Sequence, residues 1–270
     1  MLTNLVSTRD QQIMTCRGVV MGRLRSEQRQ REVQVMKFCF TKLGLPIAGD
    51  ITIGGFLEGG DFFPVGTDLA MLGIGLRSNM DACTQLMERD LLGTRRFAVV
   101  RDDFDQNQDR MHLDCIFSII SDNLCIMLED VMGEESPTRR LVDEYVRDDE
   151  SGKYSLAREG LEFSAFIRAE GFDIIPIKHE HQLAYACNVL NLGDSRIISV
   201  HAPTARQIVK HPSFKVWIVK HPSFKVWVWV WMWIVKHPSF KVWGDCKVID
   251  FSSITSMYGS VHCASQLALV

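Results

Sequence analysis

Short apolar runs separated by turn residues set the limits on this fold. Leu69 to Leu76, Phe97 to Val100, Ile116 to Ile120 and Leu124 to Leu128 read as strands, and Ser121-Asp122-Asn123 joins the last two into a hairpin. A second hairpin is expected from Asn188 to Leu192 and Arg196 to Val200, turning at Gly193-Asp194. Between such segments the period changes. Val33, Met36, Phe40 and Leu43 recur at helical spacing behind a capping Ser26, and Gly44 and Pro46 end the run. Asn79 and Gly93 bracket a second helix of similar length. Hairpins alternating with single helices predict an α/β chain of repeated strand-strand-helix-strand units, and such units can close around an axis. The stretch from Gly133 to Gly152, rich in acidic residues and arginine, reads as a solvated loop or an excursion between units.

Composition narrows the partners. With 270 residues and 46% hydrophobic content, a folded core is the expectation, as one large domain or two small ones. A formal charge of −3 provides no basic stripe to track a phosphate backbone, so nucleic acid is not the expected partner and a small cationic substrate fits at least as well. The eight cysteines are scattered without a Cys-x-x-Cys, which predicts a reduced compartment and no metal site. The first residues lack the basic start and apolar run of a signal peptide, and no stretch offers about 20 apolar residues for a bilayer span. The expectation is a cytoplasmic protein with no membrane contact, and self-association is left open.

One segment stands apart. The decapeptide Ile-Val-Lys-His-Pro-Ser-Phe-Lys-Val-Trp occurs at 208–217, 218–227 and 234–243, and all six tryptophans lie between 217 and 243. Ten residues is short for a solenoid unit and each copy carries a helix-breaking and strand-breaking proline, so 208–243 reads as a tandem insert in a single catalytic domain spanning 1–270.

Four polar clusters remain: Thr8-Arg9-Asp10, Glu58-Gly59-Gly60-Asp61, Met111-His112-Leu113-Asp114 and Gly259-Ser260-Val261-His262-Cys263. A nucleophile, a base and several carboxylates suit the grip of a planar cation and attack on its central carbon. Each cluster is weak alone, because Glu-Gly-Gly-Asp is usually a turn and His-x-Asp usually a satisfied strand histidine. Together and in order, with Asn4-Leu5-Val6-Ser7 ahead of the first, they resemble the arginine deiminases of the guanidine-modifying, or pentein, superfamily. The resemblance implies a pentein-type α/β propeller and hydrolysis of L-arginine to L-citrulline and ammonia, with no cofactor or metal. It assigns Cys263 as nucleophile, His112 as acid and base, Glu58 as its support, and Asp10 and Asp114 as clamps on the guanidinium, with His112 and Asp114 on one side of a strand. Asp61 would support the site from behind, and Asn4, Arg29 and Arg77 would complete the substrate contacts, the two arginines on the substrate carboxylate. A surface role for Arg29 and Arg77 stays open beside that one. His262 is expected to be structural and His179-Glu180-His181 to be exposed loop.

The match has departures. The family's chains begin upstream of the first motif with another propeller module, so a partial propeller lacking its N-terminal module is implied. Ser7 stands where the family usually has Phe, and Tyr258 where bacterial members tend to have Arg. Both bear on substrate choice and leave agmatine or a methylated arginine open. An amidinotransferase and a guanidinium-binding chain without turnover are the alternatives.

Overall fold

Asn79 shows how local sequence starts an element. Its side-chain oxygen accepts from the Ala82 N–H at 3.2 Å as a helix cap, and from the Phe56 N–H at 2.7 Å. The computed structural model of the chain describes residues 7–193, 196–214, 241–243, 246–248 and 262. Asn4, Tyr258, Cys263 and most of the decapeptide repeat therefore lie outside the described residues.

Four units share one connectivity. In the first, β1 (Gln12–Thr15) and β2 (Gly18–Met21) form a hairpin, α1 (Gln30–Lys42) crosses over, and β3 (Ile47–Asp50) returns parallel to β2. The second repeats this with β4 (Phe62–Val65), β5 (Leu69–Ile74), α2 (Met80–Glu88) and β6 (Arg96–Arg101). In the third, β7 (Phe117–Ser121) and β8 (Leu124–Leu128) are followed by β9 (Leu141–Arg147) and β10 (Tyr154–Glu162) before α3 (Phe163–Ala169) and β11 (Asp173–Ile177), which lies parallel to β8. After the short α4 (His179–Gln182), the fourth comprises β12 (Leu190–Asn191), β13 (Ile197–Ser199), α5 (Ala202–Lys210), β14 (Lys241–Trp243) and β15 (Cys246–Val248), with β15 parallel to β13. β5 and β8, inner strands with a parallel neighbour on one side, are continuous apolar runs because both their faces are covered. β8 is buried at every residue and β5 at all but its last. The expected hairpin, helix and strand alternation is thus present, in mixed sheets.

Several expectations are corrected. Ser26 precedes a 3₁₀ turn over Glu27–Arg29 and makes no side-chain cap, so α1 itself starts at Gln30. The second helix ends at Glu88, five residues short of Gly93. His179-Glu180-His181 lies in α4, and His112-Leu113-Asp114 is a 3₁₀ turn over Leu113–Cys115 where a strand was expected.

The largest correction concerns 133–152. It is an excursion from the third unit, yet it carries β9, which pairs with β6 and extends the second unit's sheet to the order β10-β9-β6-β5-β4. Two of its acidic residues, Asp143 and Glu144, are buried against arginines of the neighbouring strands. Arg96 Nε donates to Glu144 at 2.6 Å and its Nη atoms grip Glu170 at 2.7 and 2.5 Å, while Arg158 holds the other Glu144 oxygen at 2.5 Å. Glu144 is 3% exposed and needs this company. We expect Arg96→Met, which leaves Glu170 without its bidentate partner and Glu144 with Arg158 alone, to cost about 2–4 kcal/mol in urea unfolding followed by circular dichroism. Arg158, with 43% of its side chain exposed, should cost under about 1 kcal/mol as Arg158→Ala. Equal losses would refute the view that Arg96 anchors β9.

Candidate active site

Three backbone segments meet at closest range where two glycines stand. The Gly59 N–H donates to the Asp10 carbonyl at 3.1 Å, and a Cβ on Gly59 would lie 2.1 Å from the Arg9 carbonyl oxygen and 2.3 Å from that of Gln12. A Cβ on Gly60 would meet His112 Nδ1 at 2.8 Å. Only glycine allows the loop after Glu58 to lie against the first motif on one side and the His112 ring on the other. Asp61 ties the third segment in: its Oδ1 accepts from the Leu113 N–H at 2.9 Å and its Oδ2 from the Ser78 hydroxyl at 2.6 Å. Ser78 Oγ accepts in turn from the Glu58 N–H at 3.0 Å.

The result is a buried polar cluster. Glu58 Oε2 and His112 Nε2 are 2.8 Å apart, and Glu58 Oε1 accepts from the Arg25 N–H at 2.9 Å. Ligand-bearing atoms of Asp10, Glu58 and His112 lie within 4.8 Å of one another, a spacing that could surround a small cation of any kind. Asp10 Oδ2 accepts from Arg29 Nη1 at 2.8 Å, whereas its Oδ1 is buried without a hydrogen-bond partner. Asp114 accepts from His262 Nδ1 at 2.8 Å, the His262 N–H donates to Asn188 Oδ1 at 3.0 Å, and the His262 ring stacks on Phe63. A cavity of about 410 Å³ opens beside Arg9, Gln12, Gly59, Phe63 and His262, large enough for a small molecule.

Charge follows from this geometry. Burial works to raise Glu58, but the His112 hydrogen bond and charge, the Arg25 N–H and the Arg77 charge outweigh it and hold the carboxyl at about 2. Burial would lower His112, but the Asp61, Glu58 and Asp10 charges lift it to about 10, so the ring is cationic at neutral pH. Burial pushes Asp61 up to about 7 and raises Asp10 as well, against the His112 and Arg29 charges. Burial opposes ionisation of Asp114 but the His262 bond wins, while burial and Arg9 keep His262 neutral as the donor.

The structure therefore brings together Asp10, Glu58, Asp61, His112 and Asp114 of the expected residues. Arg77 reaches the same region, with Nη2 donating to Met111 Sδ at 3.2 Å, and Arg29 sits on Asp10 itself. Ser78, Glu32, Asn188 and His262 were missed as partners. Glu32 is spaced three residues from Arg29 on a helix, a signal that was available; Asn188 carries none. Thiols of Cys83, Cys125 and Cys187 are pushed up by burial and are poor nucleophiles.

Residues 1–269 match the arginine deiminase family. The chain belongs to that family. Among its relatives is the arginine deiminase of Halobacterium salinarum, 25% identical over 74% of this chain and 54% of that protein. The chain thus spans about half the length of the curated relative it matches. A dimethylarginine dimethylaminohydrolase structure superposes with a TM-score of 0.61, covering 97% of this chain and 77% of that one at 18% identity. The N-terminal domain of the cyanobacterial arginine dihydrolase ArgZ, bound to product, gives 0.58 over 78% and 67% at 18% identity. The fold is of the pentein type shared with these structures. No helix among the described residues is long and apolar enough to cross a membrane.

His112 is protonated in both folded and unfolded chains below its ordinary 6.5, so its stabilising share is complete there and fades as pH rises through about 10. Glu58 contributes above its ordinary 4.5 and loses this as pH falls through about 2. Histidine proton NMR should find His112 cationic past pH 8, and Glu58→Gln should lower its pKa by about a unit or more. The stability difference between the two proteins should be largest between pH 4.5 and 6.5. A His112 titrating near 6.5 in both would contradict the buried pair.

Proposed function

We propose that this chain is a guanidine hydrolase that converts L-arginine and water to L-citrulline and ammonia through an amidino group carried on Cys263. One observation carries the reading: Asp10 Oδ1 is buried without a hydrogen-bond partner in a carboxyl-rich cluster with Glu58 and His112, where burial pushes Asp10 and Asp61 toward their neutral forms. An incoming cation favours the ionised forms of such acids, and a guanidinium supplies a plane of N–H donors for carboxylates.

In this reading Asp10 and Asp114 hold the guanidinium while the Cys263 thiolate attacks its central carbon. The resulting C–S bond leaves a tetrahedral adduct, and His112, cationic at rest, gives its proton to the departing ammonia. The neutral ring then takes a proton from water, whose oxygen adds to the same carbon. Collapse expels the thiolate and forms the ureido group of citrulline, the proton on the added oxygen leaving to solvent, where ammonia takes it up as ammonium. Glu58 keeps the His112 ring oriented and supports its charge in both halves. Support for Cys263 comes from its neighbour in sequence, His262, which is anchored on Asp114. Arg77 and Asn4 are assigned to the far end of the substrate by family resemblance. We read the four hairpin-helix-strand units as propeller modules of the pentein arrangement.

The test is citrulline release from L-arginine by the full chain. Cys263→Ser should reduce it by at least about a thousandfold while arginine still binds in calorimetry. Dimethylarginine, the substrate in the name of one structural neighbour, and agmatine should be assayed alongside, with glycine as an acceptor to expose amidino transfer. Undiminished activity in Cys263→Ser would end the proposal.

A further inference from the structure

His112 stands at the end of a loop that is held from the excursion carrying β9. Residues 102–111 join β6 to His112 and the 3₁₀ turn that follows it. The loop contains a strained turn: Gln106 has a φ of 44°, in the left-handed region, and Asp102 holds it by accepting from the Asp105 and Gln106 N–H groups at 3.0 Å each. Asp105 accepts from Arg110 Nε at 2.6 Å and Nη2 at 2.9 Å, which closes the loop on itself just before His112. Arg140 ties this closed loop to the rest of the molecule. Its Nη2 lies 3.1 Å from both Asp102 Oδ2 and Asp105 Oδ2, and its Nη1 donates to the Thr138 carbonyl at 2.5 Å. Arg140 is buried immediately before β9, and its carbonyl accepts from the Phe163 N–H of α3 at 3.0 Å. Two further contacts bear on the loop: Arg139 covers the Phe104 ring at 4.1 Å, and Gln182 Nε2 of α4 donates to the Asp109 carbonyl at 2.9 Å. Asp102, Arg110, His112 and Arg140 border one cavity of about 20 Å³.

We propose that Arg140 is a positioning residue: by holding Asp102 and Asp105 it fixes the loop that sets the His112 ring against Glu58. The inference rests on His112 acting as acid and base in the proposed reaction. The ring can be no better placed than the loop that ends on it, and its contact with Glu58 is a buried one of 2.8 Å. Ordering each loop residue costs about 1–2 kcal/mol of backbone entropy, and a loop with a strained turn keeps one conformation only where its surroundings impose it. Arg140 imposes it from a frame of strand and helix. Arginine suits the task because its planar fork reaches a carbonyl with one nitrogen and two carboxylates with another, a geometry that a lysine ammonium does not reproduce.

Arg140→Met tests this without stranding a carboxylate, because Asp105 keeps both Arg110 donors and Asp102 keeps two backbone N–H groups. Positioning predicts that kcat for L-arginine falls by at least about tenfold while KM stays within about threefold. Arg139→Ala, which touches only the half-exposed Phe104, should leave kcat within about twofold. A readout independent of activity is the His112 ring titration by proton NMR, with the facing Asp10, Glu58 and Asp61 and the nearby Arg77 all retained. Loss of the Arg140 charge alone would move that titration upward, whereas a ring loosened from Glu58 moves it downward, by about one unit or more. Arg140→Lys, which keeps the charge without the fork, should fall between wild type and Arg140→Met in both readouts. If Arg140→Met does not fold, Arg140→Lys decides alone, and a His112 titration equal to wild type there overturns the inference. In folded Arg140→Met, an unmoved or raised titration, or a raised KM with kcat unchanged, overturns it as well. A lowered titration in a protein whose wild type shows no turnover supports the positioning and counts against the proposed reaction alone.

Discussion

The Glu58–His112 contact is the joint on which the cluster turns. Two groups 1% and 5% exposed face each other at 2.8 Å, so each is the other's main compensation for leaving water. Their attraction sets the proton on the ring and keeps the carboxylate ionised. What brings them together is the glycine pair that permits close backbone approach and the Leu113 and Glu58 N–H groups tied through the Asp61 and Ser78 side chains. A pair this deep tolerates little displacement, and Asp61, itself an uncomfortable buried acid, serves as its strut.

Charge balance links that joint to substrate choice. Asp10 and Asp61 are both pushed toward their neutral forms by burial, and neither finds enough positive charge in His112 and Arg29 to offset it. A ligand cation would relieve both. Asp114 differs because it has His262 for company, so it and Asp10 are held in different protonation states.

Much of this was legible residue by residue. Continuous apolar runs marked β5 and β8 because parallel neighbours bury both faces, and Asn79 marked a helix start because its side chain can satisfy an orphan N–H. β9 was not legible. Its Asp143 and Glu144 look like loop residues until Arg101, Arg96 and Arg158 arrive from strands distant in sequence. The pairing that makes them a strand is nonlocal, so no window of sequence contains it. The same holds for the Arg29–Asp10 contact, which crosses nineteen residues.

By itself the sequence determined the unit of construction, the order of the motifs and the chemical types assembled, because hydrophobic period and turn chemistry act over a few residues. Only the tertiary structure decided which carboxylate meets which cation. It paired His112 with Glu58, Asp114 with His262 and Arg29 with Asp10, and it left one oxygen of Asp10 open. Those choices depend on burial and on distances of about 3 Å between residues far apart in the chain, where the loss of water makes each partner decisive.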